Sequence, residues 1–112
     1  IKNKNVAYFL VYSNKKPVGL AEVYIKNKTG ILSSAYVLKN YRGKGIGKAL
    51  FNARKTWLKK KGVKKILIKV YRENKNTIQA WQNLGYRLIE QKGNCLTMEY
   101  RISRIHKRAL QD

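Results

Sequence analysis

The chain has 112 residues, 26 Lys and Arg against five Asp and Glu, a formal charge of +21 and 44% hydrophobic residues. That length permits one domain, residues 1–112, and the apolar fraction excludes a disordered polycation. A single Cys95 and a single His106 exclude a disulfide framework and a zinc site of four protein ligands. We therefore expect a cytoplasmic protein with no metal. No apolar run approaches the ~20 residues of a membrane span, so no membrane partner is expected.

The beginning of the chain carries no signal-peptide pattern, because no apolar stretch follows a basic one there. The first residue is Ile1 rather than Met. We take this as an indication that the sequence is a fragment.

The charge is unevenly distributed. Of the 26 basic residues 19 are Lys, and the chain has 10 Asn, a bias that AT-rich coding would produce by itself. Coding bias does not explain why Val23 to Arg72 holds 15 Lys or Arg and no Asp or Glu. Because such a surface repels itself, it favours an anionic ligand or partner, such as RNA or a phosphorylated cofactor.

The hydrophobic pattern predicts eight elements in the order βββ-α-β-α-ββ. They are strands at Val6–Tyr12, Val18–Ile25 and Ile31–Leu38, a helix from Ile46 to Lys61, a strand at Lys64–Tyr71, a helix from about Thr77 to Leu84, and strands at Tyr86–Glu90 and Leu96–Ile102. The first three strands, joined by short turns, predict an antiparallel meander. The fold class is thus α/β (α+β), with a mixed, mostly antiparallel sheet.

Side-chain periodicity predicts which faces are buried. In the first helix the residues at helical spacing that predict the buried face are Ile46, Leu50, Ala53 and Trp57. Gly62 is predicted to end this helix. In the last strand apolar residues alternate with Thr97, Glu99 and Arg101, which predicts one solvated face. The tail from Ser103 to Asp112 is basic and is expected to extend as a short helix or to fray.

A glycine-rich loop precedes the first helix, and such a loop presents backbone N–H groups to a phosphate. A Walker A loop would need Ser or Thr after its lysine, but Lys48 is followed by Ala49. A dinucleotide fingerprint needs an acidic residue about 20 positions on, and no acid occurs between Glu22 and Glu73. Both of these families are excluded.

The loop Arg42-Gly43-Lys44-Gly45-Ile46-Gly47 resembles the acyl-CoA loop of the Gcn5-related N-acetyltransferase (GNAT) superfamily. A second segment is similar to the family's other signature, in which a strand valine, an asparagine, a helix and a Gly-aromatic pair follow in order: Val70, Asn74, Trp81, Leu84, Gly85 and Tyr86. The resemblance covers nearly all of Val6 to Ile102. It implies an acyl-CoA N-acyltransferase-like fold, with acetyl-CoA as acyl donor and an unidentified amine as acceptor.

Residue by residue, the resemblance implies that Ala35, Tyr36 and Val37 offer backbone groups to the pantetheine arm. The pyrophosphate would be held by the loop: Arg42, Gly43, Lys44, Gly45, Ile46, Gly47 and Lys48. Asn74 would bond the pantetheine chain near its thiol. The family's first strand and first two helices are absent from this sequence. A homodimer or an N-terminal segment would then complete the acceptor site.

The usual proton carriers are missing at the matching positions. Trp81 stands where the family usually has an acidic Tyr, and Lys69 stands where it often has a Glu base. Replacements nearby are the phenols of Tyr36, Tyr71 and Tyr86 and the carboxylates of Glu22 and Glu73. For each Tyr the simpler expectation is packing in a strand with the hydroxyl at the surface. Trp81 and Cys95 are expected to be core residues, and His106 is assigned no role. The catalytic residues therefore stay open.

Three functions remain. The first is an acetyl-CoA-dependent N-acetyltransferase. The second is a non-catalytic acyl-CoA-binding relative, favoured by Trp81 and Lys69. The third is a basic nucleic-acid-binding module that grips phosphates, although the chain has no RNP-type or helix-turn-helix pattern.

Overall fold

The computed structural model describes residues 4–102. It contains six strands and two α-helices: β1 (Val6–Ser13), β2 (Lys16–Lys26), β3 (Thr29–Val37), α1 (Ile46–Lys60), β4 (Lys65–Tyr71), α2 (Lys75–Asn83), β5 (Arg87–Lys92) and β6 (Cys95–Arg101). One turn of 3₁₀ helix, Lys39–Tyr41, lies between β3 and the glycine loop. The predicted element order is confirmed. The tail from Ser103, with His106, lies outside the described residues.

The six strands form one sheet in the order β1-β2-β3-β4-β6-β5, in which only β3 and β4 run parallel. The predicted meander of β1, β2 and β3 is confirmed as two antiparallel pairings. Its turns are tighter than predicted, because Asn14-Lys15 and Asn27-Lys28 all have positive φ. Two consecutive residues with positive φ are typical of two-residue hairpin loops whose twist matches that of the strands.

Helix α1 ends as predicted, since Lys61 is its C-cap and Gly62 has a φ of 81°. Its buried face is different from the predicted one, and consists of Leu50, Phe51, Arg54 and Leu58. Ile46, Ala53 and Trp57 are only half-buried. The buried face includes Phe51 because that ring is enclosed by aromatic side chains from α2, β6 and the segment before β5, at centroid distances of 5.7 to 5.9 Å.

The predicted solvated face of β6 is wrong for two of its residues, since Thr97 and Glu99 are buried. Strand β6 lies between β4 and β5, so each of these side chains has a neighbour on both sides. Glu99 accepts a hydrogen bond from Arg101 at 3.2 Å and lies 3.6 Å from an Arg87 nitrogen. The long basic side chains cover the carboxylate and neutralise it.

The two faces of the sheet are covered unequally. Helix α1 packs against β1, β2 and β3, and the core lies beneath it. On the opposite face the side chains of Tyr8, Leu10, Leu20 and Tyr36 are exposed, and Leu10, Leu20 and Tyr36 are direct neighbours across the three strands. None of the helices in residues 4–102 is long and apolar enough to cross a membrane.

Candidate functional site

A slot opens between β3 and β4 because the two strands pair over a short stretch and then separate. Their register contains Gly30 opposite Ile66 and Ile31 opposite Leu67. Beyond these pairs β3 stays bonded to β2 and β4 stays bonded to β6. The slot has a volume of about 270 Å³, and it is lined by both separated strands and by side chains from α1 and α2.

The glycine loop leads from β3 into α1 through two residues with left-handed backbone. Gly43 has a φ of 75° and Gly45, the N-cap of α1, a φ of 85°. A Cβ at either position would meet no atom within 4 Å, so glycine is required there by the left-handed backbone and not by crowding. The helix begins with no capping side chain and no acid in its first turn. Its first N–H groups and its positive dipole end therefore lack an internal partner.

Basic side chains of the loop are held in place by β3 and the 3₁₀ turn. Arg42 donates from Nε to the carbonyl oxygen of Val37 at 2.8 Å, and its guanidinium lies 5.3 Å from the ring centre of Tyr36. The Lys44 ammonium lies 5.8 Å from the ring centre of Tyr41. The geometry thus fixes a positive loop against the end of β3.

A larger cleft of about 1170 Å³ joins the glycine loop to α2. Predicted site residues that line it are Ala35, Arg42, Gly43, Gly47 and Lys48. The cleft and the slot share four lining residues, which are Ala35, Arg54, Thr77 and Trp81. A continuous channel therefore runs from the helix N-terminus to the gap between the strands.

Asn74 reaches the same channel from the other side. It precedes α2 as its N-cap but makes no side-chain capping bond, and it lines the slot. Its backbone N–H donates to the carbonyl of Tyr71 at 3.0 Å, and its carbonyl accepts from Ile78 at 3.0 Å. The backbone is thus fixed while the amide group stays free to bond a ligand.

The remaining predicted residues surround the channel without lining it: Tyr36, Val37, Lys44, Gly45 and Ile46. Tyr36 is exposed, and Val37 offers its carbonyl to Arg42. Ile46 is half-buried, and its Cγ2 would lie 3.1 Å from a Cβ added at Gly19.

Sequence reasoning missed Arg54, which lines both parts of the channel although it is only 2% exposed. Its Nε donates to Leu50 O and its Nη1 to Glu22 O, both at 3.3 Å. Burial lowers the pKa of the guanidinium, partly offset by the nearby Tyr86. The signal was present in the sequence, because Leu50, Arg54 and Leu58 follow one another at intervals of four on one face of the helix.

The three tyrosines considered as proton donors lie in different environments. Tyr71 lines the slot and is exposed, whereas Tyr36 is exposed outside it. Tyr86 is only 3% exposed, so the expectation of a surface hydroxyl is wrong. It packs against Trp81, Phe51 and Tyr100 because it lies where the chain leaves α2 for β5.

Trp81 is half-buried and packs edge-on against Phe51 and Tyr86, at centroid distances of 5.9 and 4.8 Å. The expectation of a core role is supported by these contacts. Cys95, expected to be buried, is half-buried at the start of β6.

Glu22 lies on the uncovered face beside the slot. The Ser33 hydroxyl donates to Glu22 Oε1 at 2.7 Å, and Ser33 itself lines the slot. This bond, followed by one from Tyr8, lowers the pKa of the Glu22 carboxyl. The Glu22 carboxylate is therefore hydrogen-bonded to a residue that lines the slot. Glu73 is exposed at the turn before α2.

Replacing Tyr86 by phenylalanine is expected to leave the fold at least as stable as the parent. The Tyr86 hydroxyl is buried without a hydrogen-bond partner among the described residues, and burial raises the pKa of the phenol well above its usual range. An unsatisfied buried polar group costs about 1–3 kcal/mol, so its removal offsets any lost contact. Urea unfolding checks this, and a Tyr86→Phe chain destabilised by more than about 1 kcal/mol would show that the hydroxyl has a partner.

The sequence profile of the acetyltransferase (GNAT) family matches residues 1–86, so the chain belongs to this family. An uncharacterized N-acetyltransferase of Methanocaldococcus jannaschii, MJ1207, is 30% identical over 109 residues, which are 91% of this chain and 48% of that protein. The uncharacterized N-acetyltransferase YobR of Bacillus subtilis is 26% identical over 97 residues, 87% of this chain and 37% of that protein.

Among solved structures, the PaiA N-acetyltransferase of Thermoplasma acidophilum in complex with coenzyme A superposes with a TM-score of 0.82. Its identity is 22%, over 88% of this chain and 62% of that one. The predicted fold class, an acyl-CoA N-acyltransferase fold, is confirmed. The chain spans about half the length or less of the curated relatives it matches.

Proposed function

We propose that the chain is an acetyl-CoA-dependent N-acetyltransferase domain that transfers an acetyl group to an amine. The observation that carries this proposal is the channel from the uncapped N-terminus of α1 to the gap between β3 and β4. It combines two features that binding of an acyl-CoA requires, an anion site for the phosphates and a narrow slot for the pantetheine arm. Membership of the GNAT family supports the same interpretation.

The pyrophosphate is assigned to the loop from Gly43 to Lys48. Gly47 and Lys48 of the first helical turn line the cleft there, together with Arg42 and Gly43, so the positive dipole end of α1 lies at the cleft. Arg42, held by the Val37 carbonyl, keeps its charge beside the loop. A phosphate would therefore replace water on donors that are already positioned.

The pantetheine arm is assigned to the edge of β3 that β4 leaves unpaired, from Val37 to Ala35. The backbone groups on this edge have no neighbouring strand, because the register of β3 with β4 ends at Ile31. The Asn74 amide faces the arm from the opposite wall. The thioester would then lie at the level of Ala35 and Ser34.

Transfer requires a neutral amine that attacks the thioester carbonyl carbon. The C–N bond forms, the C–S bond breaks, and the thiolate receives a proton while the amine loses one. Backbone N–H groups of β3 are assigned to the carbonyl oxygen as its charge develops. Tyr71, among the three candidate phenols, lines the slot, so it is assigned to protonate the leaving thiolate.

Trp81→Phe is expected to leave acetyl transfer within about an order of magnitude of the parent. The indole packs on Phe51 and Tyr86, and a phenyl ring retains much of this contact. Tyr71→Phe is the matched variant and is expected to lower kcat by ~10² or more, because a general acid contributes about that much. A loss of that size in Trp81→Phe, with unchanged acetyl-CoA affinity, would show that Trp81 has a direct role in catalysis and is not only a packing residue.

The activity itself is tested by following the release of free CoA thiol with a panel of primary amines. Release that depends on the amine supports the acetyltransferase. Saturable binding of acetyl-CoA without amine-dependent release would instead favour a non-catalytic acyl-CoA-binding domain. In that case Trp81 and Lys69, at the positions of the usual proton carriers, would explain the missing chemistry.

A further inference from the structure

The Arg54 guanidinium carries a buried charge that the described residues do not neutralise. The ion pairs of residues 4–102 involve Glu90 and Glu99, and neither of these carboxylates pairs with Arg54. Its partners are two backbone carbonyls at 3.3 Å, which is longer than a strong charge-assisted bond of about 2.7–2.9 Å. Burying a charge without a counter-ion costs several kcal/mol. The structure therefore holds this cation at a net cost that an anion in the channel would offset.

The slot beside Arg54 has the composition of an anion site. Among the described residues that line it none is acidic, and two are basic, Arg54 and Lys69. Hydroxyl groups on the two sides come from Ser34 and Thr77, which can donate hydrogen bonds, and from Ser33, whose hydroxyl already donates to Glu22. Neither basic residue belongs to the glycine loop. Lys69 lines the slot alone, whereas Arg54 also lines the larger cleft with Arg42 and Lys48, so its guanidinium lies where the two parts of the channel meet.

Arg54 lies at the acyl end of the channel. Its Nη1 bonds the carbonyl of Glu22, and Glu22 is opposite Ser34 in the sheet. On the assignment above, the thioester lies at that level of β3. A group attached to the far side of the acyl carbonyl would thus point into the slot, toward the guanidinium. A carboxylate there could form two parallel N–H···O bonds, which suit the planar fork of an arginine.

We propose that Arg54 binds the distal carboxylate of the acyl group, so that the donor this domain prefers is the CoA thioester of a dicarboxylic acid. This inference rests on the proposed function and replaces acetyl by a longer, anionic acyl group. The transfer step is unchanged: the amine nitrogen bonds the thioester carbon, the sulfur leaves and takes a proton, and the distal carboxylate is not altered.

The test compares three thioesters by calorimetric titration of the intact chain at physiological ionic strength, where charges beyond about 8 Å are largely screened. Succinyl-CoA and butyryl-CoA have acyl chains of equal length and differ by the carboxylate, and acetyl-CoA is the reference. Succinyl-CoA is expected to bind at least tenfold more tightly than butyryl-CoA, a difference of about 1.4 kcal/mol. Equal binding of all three would overturn the proposal while leaving the proposed function intact. Failure of all three to bind would refute the proposed function itself.

Arg54→Gln is expected to abolish the preference for succinyl-CoA, so that the ratio of the succinyl-CoA and butyryl-CoA affinities falls to about one, whatever the variant does to the affinity for CoA thioesters in general. The matched control is Arg72→Gln, since Arg72 is exposed and bonds the carbonyl of Gly93 outside the slot. It should keep the full preference. If Arg54→Gln also keeps it, the carboxylate is bound elsewhere and the proposal is wrong. The comparison of the two thioesters on the parent chain stands even if the Arg54 variant does not fold.

A carboxylate could also be supplied by the acceptor. The CoA-saturated chain is therefore titrated with glutamate and with glutamine, which differ at the distal group. Glutamate binding that is stronger than glutamine binding, and that is lost in Arg54→Gln, would overturn the assignment to the acyl group. Equal weak binding of both amino acids agrees with it.

Discussion

A chain carrying Gly45→Val is expected to bind acetyl-CoA at least tenfold more weakly than the parent, a loss of about 1.4 kcal/mol. Gly45 has a φ of 85° and is the N-cap of α1. A branched side chain there would stand in open space at the start of the helix, where the proposed binding mode brings the phosphates close to the backbone. Calorimetric titration with acetyl-CoA measures the effect directly.

The matched control is Gly62→Val at the other end of the same helix. Gly62 has a φ of 81° and, like Gly45, no atom within 4 Å of an added Cβ. Both variants therefore carry a similar backbone strain, but Gly62 follows the C-cap of α1, at the opposite end of the helix from the glycine loop. Gly62→Val should lose stability without losing affinity. If Gly45→Val is folded and binds acetyl-CoA as tightly as the parent, the assignment of the loop is wrong.

The second large effect concerns the place where β3 and β4 are still joined. Gly30 pairs with Ile66 there, and a Cβ on Gly30 would lie 2.5 Å from Cδ1 of Leu58, a fully buried side chain of α1. Gly30→Ala is expected to destabilise the fold by about 1–3 kcal/mol through overpacking. Leu58→Ala is expected to cost about 2–5 kcal/mol through the cavity it leaves.

The double variant Gly30→Ala/Leu58→Ala tests whether the two single variants lose stability through the same packing contact or independently of each other. The methyl group that Gly30→Ala adds would occupy part of the space that Leu58→Ala vacates, so the two effects should not add. Urea unfolding of the four chains is expected to give a double variant at least about 0.5 kcal/mol more stable than the sum of the single changes predicts. Strict additivity would contradict the contact between Gly30 and Leu58 that keeps α1 on the sheet.

Elements with strong local signals could be predicted from the sequence. The continuous apolar stretch of β1, the turns around Asn14 and Asn27, and the glycine that ends α1 each depend on neighbouring residues in the chain. The same holds for the glycine loop, because its spacing and the following helix are both local features. Those predictions needed no knowledge of what packs against each element.

Burial at particular positions could not be predicted in this way. Thr97 and Glu99 alternate with apolar residues as exposed residues do, and they are buried because β6 has neighbours on both sides. Tyr86 looks like a strand aromatic but lies in an aromatic cluster formed by α1, α2 and β6. These outcomes depend on the order of strands in the sheet.

The slot could not be predicted from the sequence either, because it forms where β3 and β4, which are distant in the chain, separate from each other. Arg54 illustrates the consequence. Helical spacing places its side chain on the face of Leu50 and Leu58, but only the separation of β3 and β4 shows that this face borders a slot. The glycine loop is a local motif, while the gap between β3 and β4 is a property of the tertiary fold.

The central claim, that this channel binds an acyl-CoA, is tested most directly by titrating the intact chain with acetyl-CoA at two salt concentrations, with a short RNA as the comparison ligand. We expect a saturable isotherm with one acetyl-CoA per chain that survives the higher salt. A chain that gives no saturable heat with acetyl-CoA, but binds RNA with an affinity that falls by roughly one power of salt per phosphate contacted, would contradict it. That result would identify the glycine loop and its lysines as part of a nucleic-acid surface.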